Sequence, residues 1–130
     1  MKYTRGDIVL ADLPYSDRSG AKVRPALVVQ NDRNNARLDD VIVAMLTRTT
    51  TRSSSEPTQL LIDVTTPIGT STGLLHTSAV KCEHLLTLHK SFIQRVIGHL
   101  PDSLMRQVDD CLKVSLELLD YAGDQGQSNR

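Results

Sequence analysis

Short apolar runs separated by turn-forming stretches occupy the chain up to Leu100, and one run of helical period follows them. Ile8-Val9-Leu10-Ala11-Asp12-Leu13 is rich in strand formers and ends at Pro14. A loop from Pro14 to Gly20 leads into Ala21 to Val29, whose near-continuous apolar character predicts a strand buried on both faces. Asn31 to Asn35 is turn chemistry, and Val41 to Thr47 a third strand. Arg48 to Pro57 is a polar Ser/Thr loop without an apolar anchor, expected to be mobile; Thr58 to Val64 is a fourth strand. Gly69 and Gly73 shape a connection to Leu74–Ala79 and Val80–Thr87, either two strands or one bent strand. A short helical turn near His89 to Phe92 and a last strand from Arg95 to Leu100 complete the β part.

Beyond Pro101 the period changes. Leu104, Met105, Val108, Cys111, Leu112, Ser115, Leu116 and Leu119 recur at three- and four-residue steps, which predicts an amphipathic helix from Pro101–Asp102 to Asp120. The remaining polar tail, 122–130, is expected to be disordered. Short strands closed by one helix predict a mainly β (α+β) fold, a small barrel capped by that helix. At 130 residues the chain is expected to be one domain, 1–130.

Composition changes the picture at one place. Formal net charge is +0, but Arg18, Lys22, Arg24, Arg33, Arg37, Arg48 and Arg52 outnumber the acids between Tyr15 and Ser55, while acids outnumber bases from Glu56 onward. That asymmetry suits a single charged face. Arg24 stands beside Pro25 at the mouth of the apolar run ending in Val29, where burial alone does not explain a permanent cation. It is read as facing a polyanion. With Tyr3, Tyr15, Phe92 and Tyr121 the only aromatic residues, binding of nucleic acid would lean on phosphate contacts. Cys82 and Cys111 are not closely spaced, the Met1 end lacks the apolar core of a signal peptide, and no run approaches membrane-spanning length. A cytoplasmic protein with reduced thiols is expected. Cys82, His84 and His89 lack a closing ligand pair of zinc-motif spacing, so no metal and no cofactor is expected.

In this order and spacing, Arg5-Gly6-Asp7, Gly20 to Val29 with Arg24-Pro25, the strand ending Leu46-Thr47, Thr77 to Glu83 with Thr87, and Ile97-Gly98-His99-Leu100 followed by the amphipathic helix carry a resemblance to the MazF/PemK toxins of type II toxin–antitoxin systems. The resemblance covers about Arg5 to Asp120. It implies a small SH3-like β-barrel (CcdB/MazF/Kid-like) with a C-terminal helix, acting as a homodimer. It also implies a metal-independent endoribonuclease that cuts single-stranded RNA (mRNA) at specific sequences and is held inactive by a cognate antitoxin. A gyrase-inhibiting toxin of the same fold, using its C-terminal helix to bind a protein, and a non-catalytic relative remain alternatives.

Metal-free RNA cleavage uses the 2′-OH as nucleophile and ends in a 2′,3′-cyclic phosphate and a free 5′-OH. It needs a proton acceptor, help for the leaving oxygen, and donors for the phosphoryl oxygens. Arg24 offers the planar fork that matches two phosphate oxygens; the alternative is a structural ion pair with Asp17 or Asp12. Thr47 is expected, from the family pattern, to hold the phosphate or orient the 2′-OH; a hydroxyl bonded to backbone is the alternative. Lys81 and Glu83, two residues apart on a strand, share a face where part of the family has a basic residue and an aspartate. They complete the catalytic set, with an exposed ion pair as the alternative. Asp17, Arg18, Lys22, Arg48, Arg52, His76 and Ser78 are expected to bind RNA. Arg18 and Ser19 stand where related toxins often carry His or Glu, which shifts proton transfer toward Glu83 or Asp17.

Overall fold

In the computed structural model, which describes residues 2–14 and 21–118, a six-stranded antiparallel sheet carries a C-terminal helix. The strands are β1 (Asp7–Pro14), β2 (Ala21–Val28), β3 (Asp40–Thr47), β4 (Gln59–Ile62), β5 (Ser78–His89) and β6 (Ile93–His99). Their order across the sheet is β4-β5-β3-β2-β1-β6. The helices are α1 (Asp32–Arg37), α2 (Pro67–Thr70) and α3 (Asp102–Ser115), with a 3-10 turn at Lys90–Phe92.

Two cores lie on the two faces. Ile8, Leu27, Ala44, Leu46, Val80 and Cys82 pack under Leu104, Met105, Val108 and Cys111 of α3. Val9, Ala11, Leu13, Ala26, Val28, Val43 and Met45 form the second core with Tyr3, Leu88 and Ile93. That second core is drawn from strands and Tyr3 alone, so the sheet must curl to bury it. Bulges supply the bend: register shifts occur in β1–β6 at Ile8/Val9 and Leu10/Ala11, and in β3–β5 at Ala44/Met45.

The curl does not close into the expected barrel. β4 and β6 are edges that do not pair with each other. The connection between β4 and β5 stands against β6 instead. A Cβ on Gly98 would meet the Thr72 carbonyl oxygen at 1.6 Å, and one on Gly73 the Ile97 carbonyl oxygen at 2.2 Å. Backbone approach that close requires glycine on both sides, and Gly73 also has φ +84.

Two local expectations change. Asn31 to Asn35 is not a plain turn: Asn31 caps the short helix α1, its side-chain oxygen accepting from Asn34 N–H at 2.8 Å. Residues 74–77 are not strand; one bent strand begins at Ser78. The segment Arg48 to Pro57 holds a local turn in which Ser53 is buried and both its N–H and its hydroxyl donate to the Thr50 carbonyl.

The C-terminal helix stops short of Asp120. Glu117 adopts φ 56 after the cap residue Leu116, Glu117 N–H bonds Val114 O at 3.2 Å, and Leu118 N–H bonds Lys113 O at 2.8 Å. This pair of bonds is the Schellman ending, and it overrides the apolar periodicity at Leu116. The tail 122–130 lies outside the described residues.

The Arg5-Gly6-Asp7 stretch is a structural knot. Arg5 donates from Nε to Val29 O at 2.9 Å and from a terminal nitrogen to Asp109 at 2.6 Å, and its backbone N–H donates to Asp32 at 2.7 Å. It ties the chain start to β2, α1 and α3. The two thiols, distant in sequence, meet between β5 and α3; both are free, and burial pushes the Cys82 thiol up to about 12.

Candidate active site

The β2–β3 ladder covers only Ala26–Val28 against Val43–Met45. Pro25, the next residue of β2, has no N–H to carry the ladder further. The first half of β2 therefore stays with β1, through Ala11↔Arg24 and Leu10↔Pro25, while Leu46 and Thr47 stay with β5, through Val80 and Ala79. The strands part, and a cleft opens on each side of the gap. The volumes are about 640 and 620 Å³, and Arg24, Leu46 and Thr47 line both.

Register places the key side chains on one face. Paired residues of neighbouring strands, and residues two apart on one strand, share a face. Ala26 pairs with Met45 and Met45 with Lys81, so Arg24, Thr47 and Lys81 project to the same side. Arg24, Thr47 and Lys81 are all half-buried. The Thr47 hydroxyl accepts from Thr49 N–H at 3.1 Å, a backbone bond of the kind that threonine makes in purely structural settings. Its own hydrogen is still a donor.

Glu83 behaves differently from its neighbour. It lines neither cleft, and its two carboxylate oxygens accept from Thr58 Oγ1 at 3.0 Å and Gln59 Nε2 at 2.8 Å. Burial pushes its pKa up. The hydrogen bonds from Gln59, its own backbone and Thr58, with the Lys81 charge, outweigh burial and hold it below the usual carboxylate range. Gln59 is also the cross-strand partner of Lys81. Glu83 thus braces the strand that carries Lys81.

The first cleft adds Lys22, Arg48, His76, Ser78 and Arg95. Ser78 is buried and donates to His76 O at 2.8 Å, so its hydroxyl shapes the loop. Arg52 is exposed on the 48–57 segment and lines neither cleft; Asp17 and Arg18 fall outside the described residues. The second cleft, which Lys81 lines, is also lined by residues that the sequence alone does not assign to the site: His84, His89 and Phe92. Along the chain these two histidines stand out only as metal-ligand candidates with Cys82. In space Cys82 faces α3 in the core while both imidazoles line the cleft. Among the described residues no carboxylate lines either cleft. In a chain of net charge +0, this segregation of cations is what a sequence count does not reveal.

A curled open sheet with one packed helix, and a two-sided cationic cleft held apart by Arg24-Pro25, define a small α+β protein built to handle a polyanion. The PemK-like, MazF-like toxin family of type II toxin–antitoxin systems has a sequence model that matches residues 4–116. The chain is 35% identical over 118 residues to Endoribonuclease EndoA of Bacillus subtilis, covering 90% of this chain and 97% of the relative. It is 38% identical over 120 residues to Endoribonuclease MazF6 of Mycobacterium tuberculosis, covering 91% and 100%. A solved mycobacterial endoribonuclease in complex with its cognate antitoxin superposes with TM-score 0.73 at 27% identity, over 91% of this chain and 98% of that one. The chain belongs to the PemK-like, MazF-like toxin family.

Proposed function

We propose that this protein is the toxin of a toxin–antitoxin system, an endoribonuclease that cuts single-stranded RNA without a metal ion. Family membership supports the class, and the observation that carries it to this chain is the pair of cationic clefts meeting at Arg24 and Thr47, free of carboxylates among the described residues. A cognate antitoxin, a homodimer and a cytoplasmic location belong to the same reading; among the described residues no helix is long and apolar enough to cross a membrane.

The 2′ oxygen attacks the adjacent phosphorus and the bond from phosphorus to the 5′ oxygen breaks. Arg24 and the Thr47 hydroxyl hold the phosphoryl oxygens as charge grows on them, and Lys81 adds a point charge from the same face. The 2′ proton passes to a base, and the departing 5′ oxygen takes up a proton. His84 lines the second cleft with Lys81, and an imidazole is suited to moving protons near neutrality. Glu83 acts by positioning Lys81. The RNA is gripped by Lys22, Arg48 and His76 in the first cleft, where Ser78 shapes the wall.

The test is incubation with single-stranded RNA in excess EDTA. Cutting is expected, with 2′,3′-cyclic phosphate and 5′-OH ends, and none on the DNA oligonucleotide that lacks the 2′-OH. Arg24→Ala is expected to lower the rate at least about a hundred-fold, the scale of one lost transition-state donor. Cleavage that needs an added divalent ion, or that leaves a 3′-OH, overturns the mechanism.

A further inference from the structure

Phosphate contacts grip any nucleotide alike, so the second cleft is of interest for what it holds besides cations. Phe92 is the only phenylalanine of the chain, and it stands 40% exposed at this cleft. The ring lines a cleft whose wall also carries Arg24 and Lys81. The turn that carries it is fixed. His89 caps the Lys90–Phe92 turn, its Nδ1 accepting from Ser91 N–H at 3.1 Å and lying 2.9 Å from the Ser91 hydroxyl. Lys90 pairs with Asp39 at 3.0 Å, and its N–H donates to Asp39 O at 2.7 Å, which pins the turn to the start of β3. Two flat rings, His89 and Phe92, are thereby presented to one cleft by one anchored turn.

We propose that this turn seats a nucleobase of the RNA next to the scissile phosphate, stacked on Phe92 with His89 as the second wall. The proposal rests on the RNA-cleaving reading of the same site. Arg24 and Lys81 line the same cleft, so the cations that would hold a phosphate and the turn that carries the rings share one cavity. A base presents a π-face whatever its identity, and stacking on a fixed aromatic ring is worth a substantial part of single-strand affinity. The seat therefore adds affinity and register; it need not read the base edge. The sequence holds too few aromatic residues for a stacking track, and one anchored ring beside the reacting phosphate is enough to fix a single nucleotide.

The experiment uses the whole protein and short single-stranded RNA, with KM and kcat measured separately in excess EDTA. Phe92→Ala is expected to raise KM about five- to a hundred-fold, the range carried by one stacked base, with a smaller change in kcat. Phe92→Tyr, which keeps the ring, is expected to recover most of the loss. An oligonucleotide with an abasic residue next to the cut is expected to show the same loss on the unaltered protein and no further loss on Phe92→Ala. Independent, multiplying losses overturn the proposal, as does an unchanged KM while Arg24-dependent cleavage persists; that second result leaves the RNA-cleaving reading intact. A shift of Phe92→Ala from dimer to monomer in sedimentation, with KM unchanged, makes the turn a subunit contact and also overturns it. Failure of the unaltered protein to cut or bind RNA sinks both readings together.

Discussion

Glu83 shows how a residue type can point to one role while its hydrogen bonds point to another. A carboxylate beside a lysine on a strand is a reasonable base. Here Thr58 and Gln59 occupy both of its oxygens and its affinity for protons falls. A group whose folded pKa is depressed contributes stability at pH values above its unfolded pKa, about 4.3, and that contribution is lost as pH falls through the lower folded value. Glu83→Gln is therefore expected to be less stable than the unaltered protein at neutral pH. The two urea midpoints are expected to converge as pH drops below about 4. If Glu83 only braces Lys81, the variant keeps cleavage within about ten-fold, far from the loss that removing a general base would cause. Arg24 makes the opposite point. Its place where the two clefts meet was signalled along the chain, because burial accounts for Ala26 to Val28 and not for a permanent cation next to proline. His84 and Phe92 carried no such signal, since an isolated histidine or phenylalanine at a strand end is ordinary until the fold places it in a cleft.

At the scale of elements, the ends of strands and helices proved more informative than their middles. Pro25 stops the β2–β3 ladder, and the two clefts meet at the gap it leaves. Glu117 stops α3 in the left-handed region, where glycine is the usual residue and an L side chain carries strain. Glu117→Gly is expected to raise stability by up to about 1 kcal/mol, the cost of that conformation set against glycine's extra freedom when unfolded. Chemical denaturation at neutral pH checks it, and a loss of stability would mean that the ending is not strained. The periodicity of Leu104 to Cys111 located the helix and its buried face correctly. Its continuation through Leu116 misled because an exposed leucine, 53% accessible here, obeys the same spacing as a buried one.

The whole molecule is held by contacts that join distant parts of the chain. Arg5 is the clearest, with bonds reaching Val29 and Asp109. The Asp109 pair is partly exposed, at 31% and 43%, so screening trims its worth. The bond to Val29 O and the buried stem remain, and Arg5→Ala is expected to cost about 1–2 kcal/mol. A thermal or urea melt reads this directly, with the stability loss larger than that of Asp109→Ala, which removes the ion pair alone. An equal loss in the two variants would assign the whole effect to the salt bridge. At this scale the division between sequence and structure is physical. Apolar period, turn residues and an ordered series of motifs were enough to specify a mainly β chain with a C-terminal helix, its family, and Arg24 and Thr47 as residues of interest, because these depend on neighbours along the chain. Only the tertiary structure left the sheet open, gathered cations into clefts free of carboxylates among the described residues, drew Glu83 into a bond with Gln59 of β4 and brought Phe92 and His89 to a cleft that Lys81 also lines. Those outcomes depend on which strands pair and where a ladder ends, and such pairings join residues far apart in sequence.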